Sequence, residues 1–212
     1  MTNNQFPADF FERQDMSDDR LFYQTPRKVV HIDEHAIGAL TNVYRELLPE
    51  GGTCLDLMSS WRSHYPPDLK FRQVVGLGMN EEELSDNPQL DEYDVHNLNQ
   101  NPHIPYPDKL FDAVTCAVSV QYLTNPIAVF EEINRVLKPN GIFIVSFSNR
   151  CFPNKAVAIW MASGDEQHIA LVGQYFQMSG NWKDLSAQKT NSAEGYPVQA
   201  DPLYVVWARK AV

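Results

Sequence analysis

Glycine is missing from the place where a nucleotide-binding chain would want it. The apolar run "CLDLM", Cys54 to Met58, reads as a buried strand, yet Ser59, Ser60 and Trp61 follow it. A bound pyrophosphate needs the open backbone amides of a glycine-rich turn, so a nicotinamide-dependent oxidoreductase is disfavoured. No G-x-S-x-G occurs either, which disfavours a serine hydrolase built on a nucleophile elbow. Cysteine is scarce: Cys54, Cys116 and Cys151 stand far apart, with no C-x-x-C pair to hold a metal. An odd number of thiols, two of them inside apolar runs, reads as reduced cysteine in a cytoplasmic protein. Positive charge is short as well. Lys and Arg number 17 against 27 Asp and Glu, a formal net charge of -10, and such a surface disfavours nucleic acid and anionic membrane as partners. No apolar run is long enough to span a bilayer. The opening "MTNNQFPADFFERQDMSDDR" lacks the basic and apolar regions of a secretory signal.

What is present is an alternation of periods. Residues 1–28 are polar with interspersed aromatics, Phe10, Phe11, Phe22 and Tyr23, and read as an N-terminal arm or a lid over a ligand. Residues 29–212 read as a single α/β domain. Ile32, Ala36, Leu40, Val43 and Leu47 recur at helical spacing, and Pro49, Gly51 and Gly52 end that helix. "TCLDLM" and "FRQVVGLGMN" follow as strands, then a short helix capped by Asn80 with Glu81, Glu82 and Glu83 in its first turn. "LDEYDV" is a weaker strand and "LFDAVTCAVSVQYL" a strong one. "NPIAVFEEINRVLKPNG" is a helix opened by Pro126, "IFIVSFSN" a central strand, and the segment from Lys155 to Gly180 one or two helices. "NWKDLSAQK" and "PLYVVWARK" read as an antiparallel pair with a polar linker between them. The expected fold is a Rossmann-like, doubly wound sheet, mostly parallel, with an antiparallel C-terminal edge hairpin.

In such a sheet ligands bind beyond the carboxyl ends of the strands, so the residues just past each strand are the candidates. Asp56 either holds the amides of its own turn or accepts from a cationic ligand group such as an ammonium. Gly78 ends the second strand where a nucleoside site usually places an acid for the ribose, and Met79 offers a flat face to a base. Past the third strand, Asp94 or Asn97 could meet the amino group of an adenine, or could satisfy their own turn.

The run "IPYPDKLFDAVTCAVSVQYLTNPIAVFEEINRVLKPNGIFIVSFSN" resembles the second half of class I S-adenosylmethionine-dependent methyltransferases acting on small molecules. Phe111 and Asp112 stand at that family's "FD", residues 135–141 read "RVLKPNG" for its "RVLKPGG", and "DPLYVVWARK" is similar to its last, antiparallel strand. The resemblance implies S-adenosylmethionine as cofactor, S-adenosylhomocysteine as product and a small-molecule acceptor. It places Asp56, Met58 and Ser59 beside the methionyl end and Met79 against the adenine. Asn97 and Leu98 meet the adenine edge, the Ala117 carbonyl the ammonium, and Gly78 the ribose through backbone alone. The family's "DxGxGxG" loop is departed from: the acid is kept at Asp56 and the glycines are not. Around the same rim His64 is the candidate general base, with Tyr122, Asn149 and Arg150 as candidate acceptor contacts and Tyr65, Gln121 and Cys151 nearby. The competing expectation is a catalytically inactive relative that uses the fold as a binding module.

Overall fold

The structure is a computed structural model, and it describes residues 6–190 and 195–212. The first five residues of the arm and residues 191–194 of the C-terminal linker lie outside the described residues.

A seven-stranded sheet runs through the molecule. In chain order its strands are β1 (Thr53–Ser59), β2 (Gln73–Gly78), β3 (Glu92–Val95), β4 (Phe111–Ala117), β5 (Leu137–Phe147), β6 (Trp182–Lys189) and β7 (Tyr204–Lys210). Their spatial order is β3-β2-β1-β4-β5-β7-β6. β1 to β5 are parallel neighbours, whereas β7 runs antiparallel between β5 and β6. The chain winds outward from β1 to β3 and then returns to β4 on the other flank of β1. That reversal opens a crevice above the carboxyl ends of β1 and β4. Trp182–Lys189 and Tyr204–Lys210 thus form the antiparallel edge pair expected of "NWKDLSAQK" and "PLYVVWARK", with β6 outermost.

Helices cover both faces. On one side α2 (Glu34–Leu47) buries the stripe Ala36, Leu40, Val43 and Tyr44, and the Asp33 carboxylate caps it by accepting from the Ala36 amide at 2.9 Å. The other side holds α4 (Pro126–Val136) and α6 (Asp165–Ser179), with the single turn α5 (Ala158–Met161) beside them. Phe130 of α4 meets both Phe143 of β5 and Phe176 of α6 edge-on. α4 ends earlier than its sequence suggests, at Val136 with Leu137 already extended, so Asn140, left-handed at φ 64°, lies within β5 rather than at the helix exit. The strong apolar run after Asp112 is shorter as a strand than its composition suggests. It leaves the sheet at Ala117 and continues as a 3-10 turn at Val120–Tyr122.

The arm packs across the carboxyl ends of the strands. Its short helix α1 (Asp19–Tyr23) is fixed from below: Lys155, fully buried, pairs with Asp15 at 3.0 Å and with Asp19 at 3.2 Å, and Arg13 pairs with Asp19 at 2.9 Å. Asn99 donates to Asp19 at 2.9 Å, and Asn80 donates to the carbonyls of Tyr23 and Gln24. No helix among the described residues is long and apolar enough to cross a membrane.

Candidate functional site

β1 ends in an irregularity that shapes everything above it. Leu57 pairs with Leu77 and Ser59 with Gly78, which leaves Met58 as an extra residue in the strand, at φ 56°. A bulge with its extra residue in the left-handed region is where glycine normally sits. Met58 occupies the position of the first glycine in the loop the chain resembles, and it takes a conformation that glycine adopts at least cost. The bulge turns Ser59 back onto the strand, where its hydroxyl donates to Asp56 Oδ2 at 2.6 Å. Ser63 donates to the same oxygen at 2.7 Å, and Thr115 of β4 reaches Oδ1 at 3.3 Å. Asp56 is only 2% exposed. Burial pushes its carboxyl up to about 6, against the lowering effect of the three hydroxyls.

Gly78 is fixed by the same bulge. A β-carbon at this position would fall inside the contact shell of the Ser59 carbonyl oxygen and press on Leu84. An acidic side chain at this position has no room beside the neighbouring strand. Glu83, on α3 (Glu81–Ser85), supplies a carboxylate to the same region, and it is bound by the Ser60 hydroxyl at 2.6 Å and by the Arg27 amide.

These residues floor a cavity of about 370 Å³, within the ~300–1,000 Å³ typical of small-molecule and cofactor sites. Met58, Ser59, Gly78, Met79, Asn97, Leu98 and Ala117 all line it with Asp56, as do His64, Tyr122 and Arg150. Asn149 does not: it is exposed, past the end of β5 where the chain turns to solvent, and is corrected out of the rim. Asp94 lies outside too, accepting from the Tyr106 hydroxyl at 2.8 Å. The Asn97 side-chain oxygen accepts from the amide of Asn99 at 3.0 Å, the self-satisfied polar turn, so an adenine would meet it as a shared acceptor. The Ala117 carbonyl already accepts from the Ser119 hydroxyl at 2.7 Å and has one lone pair left for a ligand. Tyr122 spends its oxygen on the Phe152 amide at 2.9 Å, and burial holds its phenol up at about 12. Arg150 pairs with Asp201 at 2.8 Å.

His64 is where chemistry departs most from expectation. Burial, then the charges of Arg62 and His31, push its imidazole down to about 4. It stays neutral at pH 7 and is a much weaker base than a general base poised near 7. Trp61, the bulky residue in place of a glycine, turns to the rim: its indole nitrogen donates to the Val29 carbonyl at 3.0 Å and Arg62 lies over its ring. The walls that sequence reasoning missed come from the arm and the segment after β5: Asp19, Arg27, His31 and Phe152. The arm's aromatic residues were the available signal.

Residues 60–145 match a family model described as a methyltransferase domain. The match spans less than half of the chain. A curated relative, the ubiquinone/menaquinone biosynthesis C-methyltransferase UbiE of Cupriavidus pinatubonensis, is 43% identical over 47 residues, which are 22% of this chain. The matched part covers 19% of that relative's length. Among solved structures, the S-adenosylmethionine-dependent methyltransferase of Mesorhizobium loti superposes with a TM-score of 0.56 at 16% identity, over 80% of this chain and 96% of its own. SpnF, a (4+2)-cyclase, gives 0.62 at 17% identity over 91% and 92%. At these identities the structural likeness establishes the Rossmann-like fold and nothing beyond it.

Proposed function

We propose that this chain binds S-adenosylmethionine in the cavity above β1 and β4 and transfers its methyl group to a small organic acceptor. The observation that carries the reading is the bulge at Met58, which gives a glycine-like left-handed turn without glycine and sets the Asp56 carboxylate, braced by three hydroxyls, at the cavity floor. The matched methyltransferase domain and the likeness to an S-adenosylmethionine-dependent enzyme support it.

The residues fit the cofactor's chemistry. A nucleoside sulfonium carries no phosphate, so the loop needs space and acceptors rather than an anion cradle. Asp56 and the free lone pair of the Ala117 carbonyl suit an ammonium. Met79 and Leu98 give an adenine two apolar surfaces, and Gly78 lets the ribose approach backbone. The cofactor when bound supplies an electrophilic methyl on a sulfonium. The protein's part is alignment for an in-line displacement and exclusion of water by the arm. His64 accepts a hydrogen bond in its neutral form and orients the acceptor, with little proton abstraction of its own.

Thermal unfolding with S-adenosylhomocysteine tests the reading. Ligand at a hundred times its dissociation constant adds about 2.7 kcal/mol, an increase of roughly 5–10 °C in Tm for a chain of this size. An unchanged Tm at millimolar ligand favours the inactive binding module. That second reading draws on Gly78, whose lost ribose acid removes a bond of about 1.5–3 kcal/mol.

A further inference from the structure

The arm brings into the cavity a cation that nothing in the described chain neutralises. Three arginines line the cavity. Arg62 lies over Trp61 and donates to the Trp61 carbonyl, and Arg150 is paired with Asp201. Arg27 differs from both. Its guanidinium carbon lies 4.3 Å from the centroid of Phe22 and 5.6 Å from that of Phe152, and its Nη1 is buried with no acceptor among the described residues. The acids nearest to hand are engaged elsewhere: Asp19 with Arg13 and Lys155, Glu83 with Ser60 and with the Arg27 backbone amide. That backbone bond, with the Asn80 clamp on Tyr23 and Gln24, holds the arginine in place.

A buried charged donor without an acceptor is costly unless a ligand completes it. A guanidinium's fork of N–H groups matches the two oxygens of a carboxylate. Beside it the walls are flat: Phe152 stacks on Tyr122 at 6.0 Å and meets the His31 ring edge-on at 5.3 Å. Aromatic walls of this kind favour a planar ring. Arg27's charge acts on Tyr23 and His31, whereas Asp56 is governed by burial and its own hydroxyl donors. The arginine therefore belongs to the arm and β5 side of the cavity, apart from the floor assigned to the cofactor's ammonium end.

We propose that Arg27 receives the carboxylate of the methyl acceptor while Phe152, Tyr122 and His31 hold an attached planar ring, so that the substrate class is a small aromatic carboxylic acid. This deepens the methyl-transfer reading and rests on it for the word acceptor.

The test is a ligand-observed NMR titration of the full chain with 2-naphthoate and its neutral analogue 2-naphthamide, with and without saturating S-adenosylhomocysteine, on wild type, Arg27→Gln and Arg27→Lys. Wild type is expected to prefer the carboxylate by about tenfold or more. Arg27→Gln should lose that preference, Arg27→Lys should keep part of it, and both should hold S-adenosylhomocysteine within about twofold of wild type. Equal binding of acid and amide by wild type overturns the proposal, as does an unchanged preference in Arg27→Gln. A tenfold loss of S-adenosylhomocysteine affinity in Arg27→Gln also overturns it, because the carboxylate met by Arg27 is then the cofactor's own. Failure of wild type to bind S-adenosylhomocysteine sinks the methyl-transfer reading instead, and the acid-over-amide preference still reports whether Arg27 is an anion site.

Discussion

Asp56 carries opposed demands at the residue scale. Its folded-state carboxyl, raised to about 6, lies above its unfolded value of 3.8. Below 3.8 both states are protonated and the group contributes nothing. As pH rises through 6 the folded protein must hold a buried charge that the unfolded chain hydrates freely. Stability is therefore lost between pH 4 and 6, by about 3 kcal/mol. Asp56→Asn should flatten that limb in urea unfolding followed across pH 4–7; an unchanged limb would assign it to another group. An ammonium beside Asp56 favours the charged form, so cofactor binding should release a proton near pH 6, and affinity should rise as pH rises through 6. Gly78→Asp probes the bulge. The acid restored by sequence logic meets the Ser59 carbonyl, and overpacking of this kind costs about 1–3 kcal/mol. A lower urea midpoint with no gain in S-adenosylhomocysteine affinity is expected. At His64, a group titrating at about 4 leaves no limb between pH 5 and 8, and His64→Asn, which tolerates the local φ of 61°, should reduce kcat less than tenfold. A rate limb near pH 6.5 that vanishes in this variant would restore the imidazole as base.

Among the elements, the arm is the one whose role the sequence left open. Lys155 lies under it with no solvent exposure, and removing one partner of a buried pair leaves the other charge uncompensated. Lys155→Met should cost about 3 kcal/mol and expose residues 6–32 to limited proteolysis, with ligand restoring part of the protection. Equal cleavage of both proteins would mean that the arm's hold comes from elsewhere. The strands and helices were legible because apolar period and start signals agree along most of the chain, as at the Asn80 cap and at Pro126 at a helix start. The end of β4 was not, since Ala117 to Tyr122 remains apolar after leaving the sheet and composition cannot mark the exit. The site was legible in its floor, which local order along the chain dictates. Its roof was hidden, because contacts such as Arg27 with Phe152 join residues far apart in sequence, and no spacing rule reports them.

For the whole molecule, the sheet order places a cavity at the carboxyl ends of β1 and β4, while the likeness to a (4+2)-cyclase of the same architecture shows that the fold alone does not set the reaction. What distinguishes this chain is a loop after β1, proposed to seat the cofactor, whose geometry is held by a bulge and hydroxyls instead of glycines. Calorimetric titration of S-adenosylhomocysteine into wild type and Asp56→Asn at pH 7.5 addresses that most directly. One equivalent should bind wild type, with affinity weaker by about tenfold or more in Asp56→Asn, the loss of a charge-assisted bond, while the variant stays folded. A flat titration of wild type at millimolar ligand, or equal affinity in both proteins, would contradict the seat assigned to the cofactor.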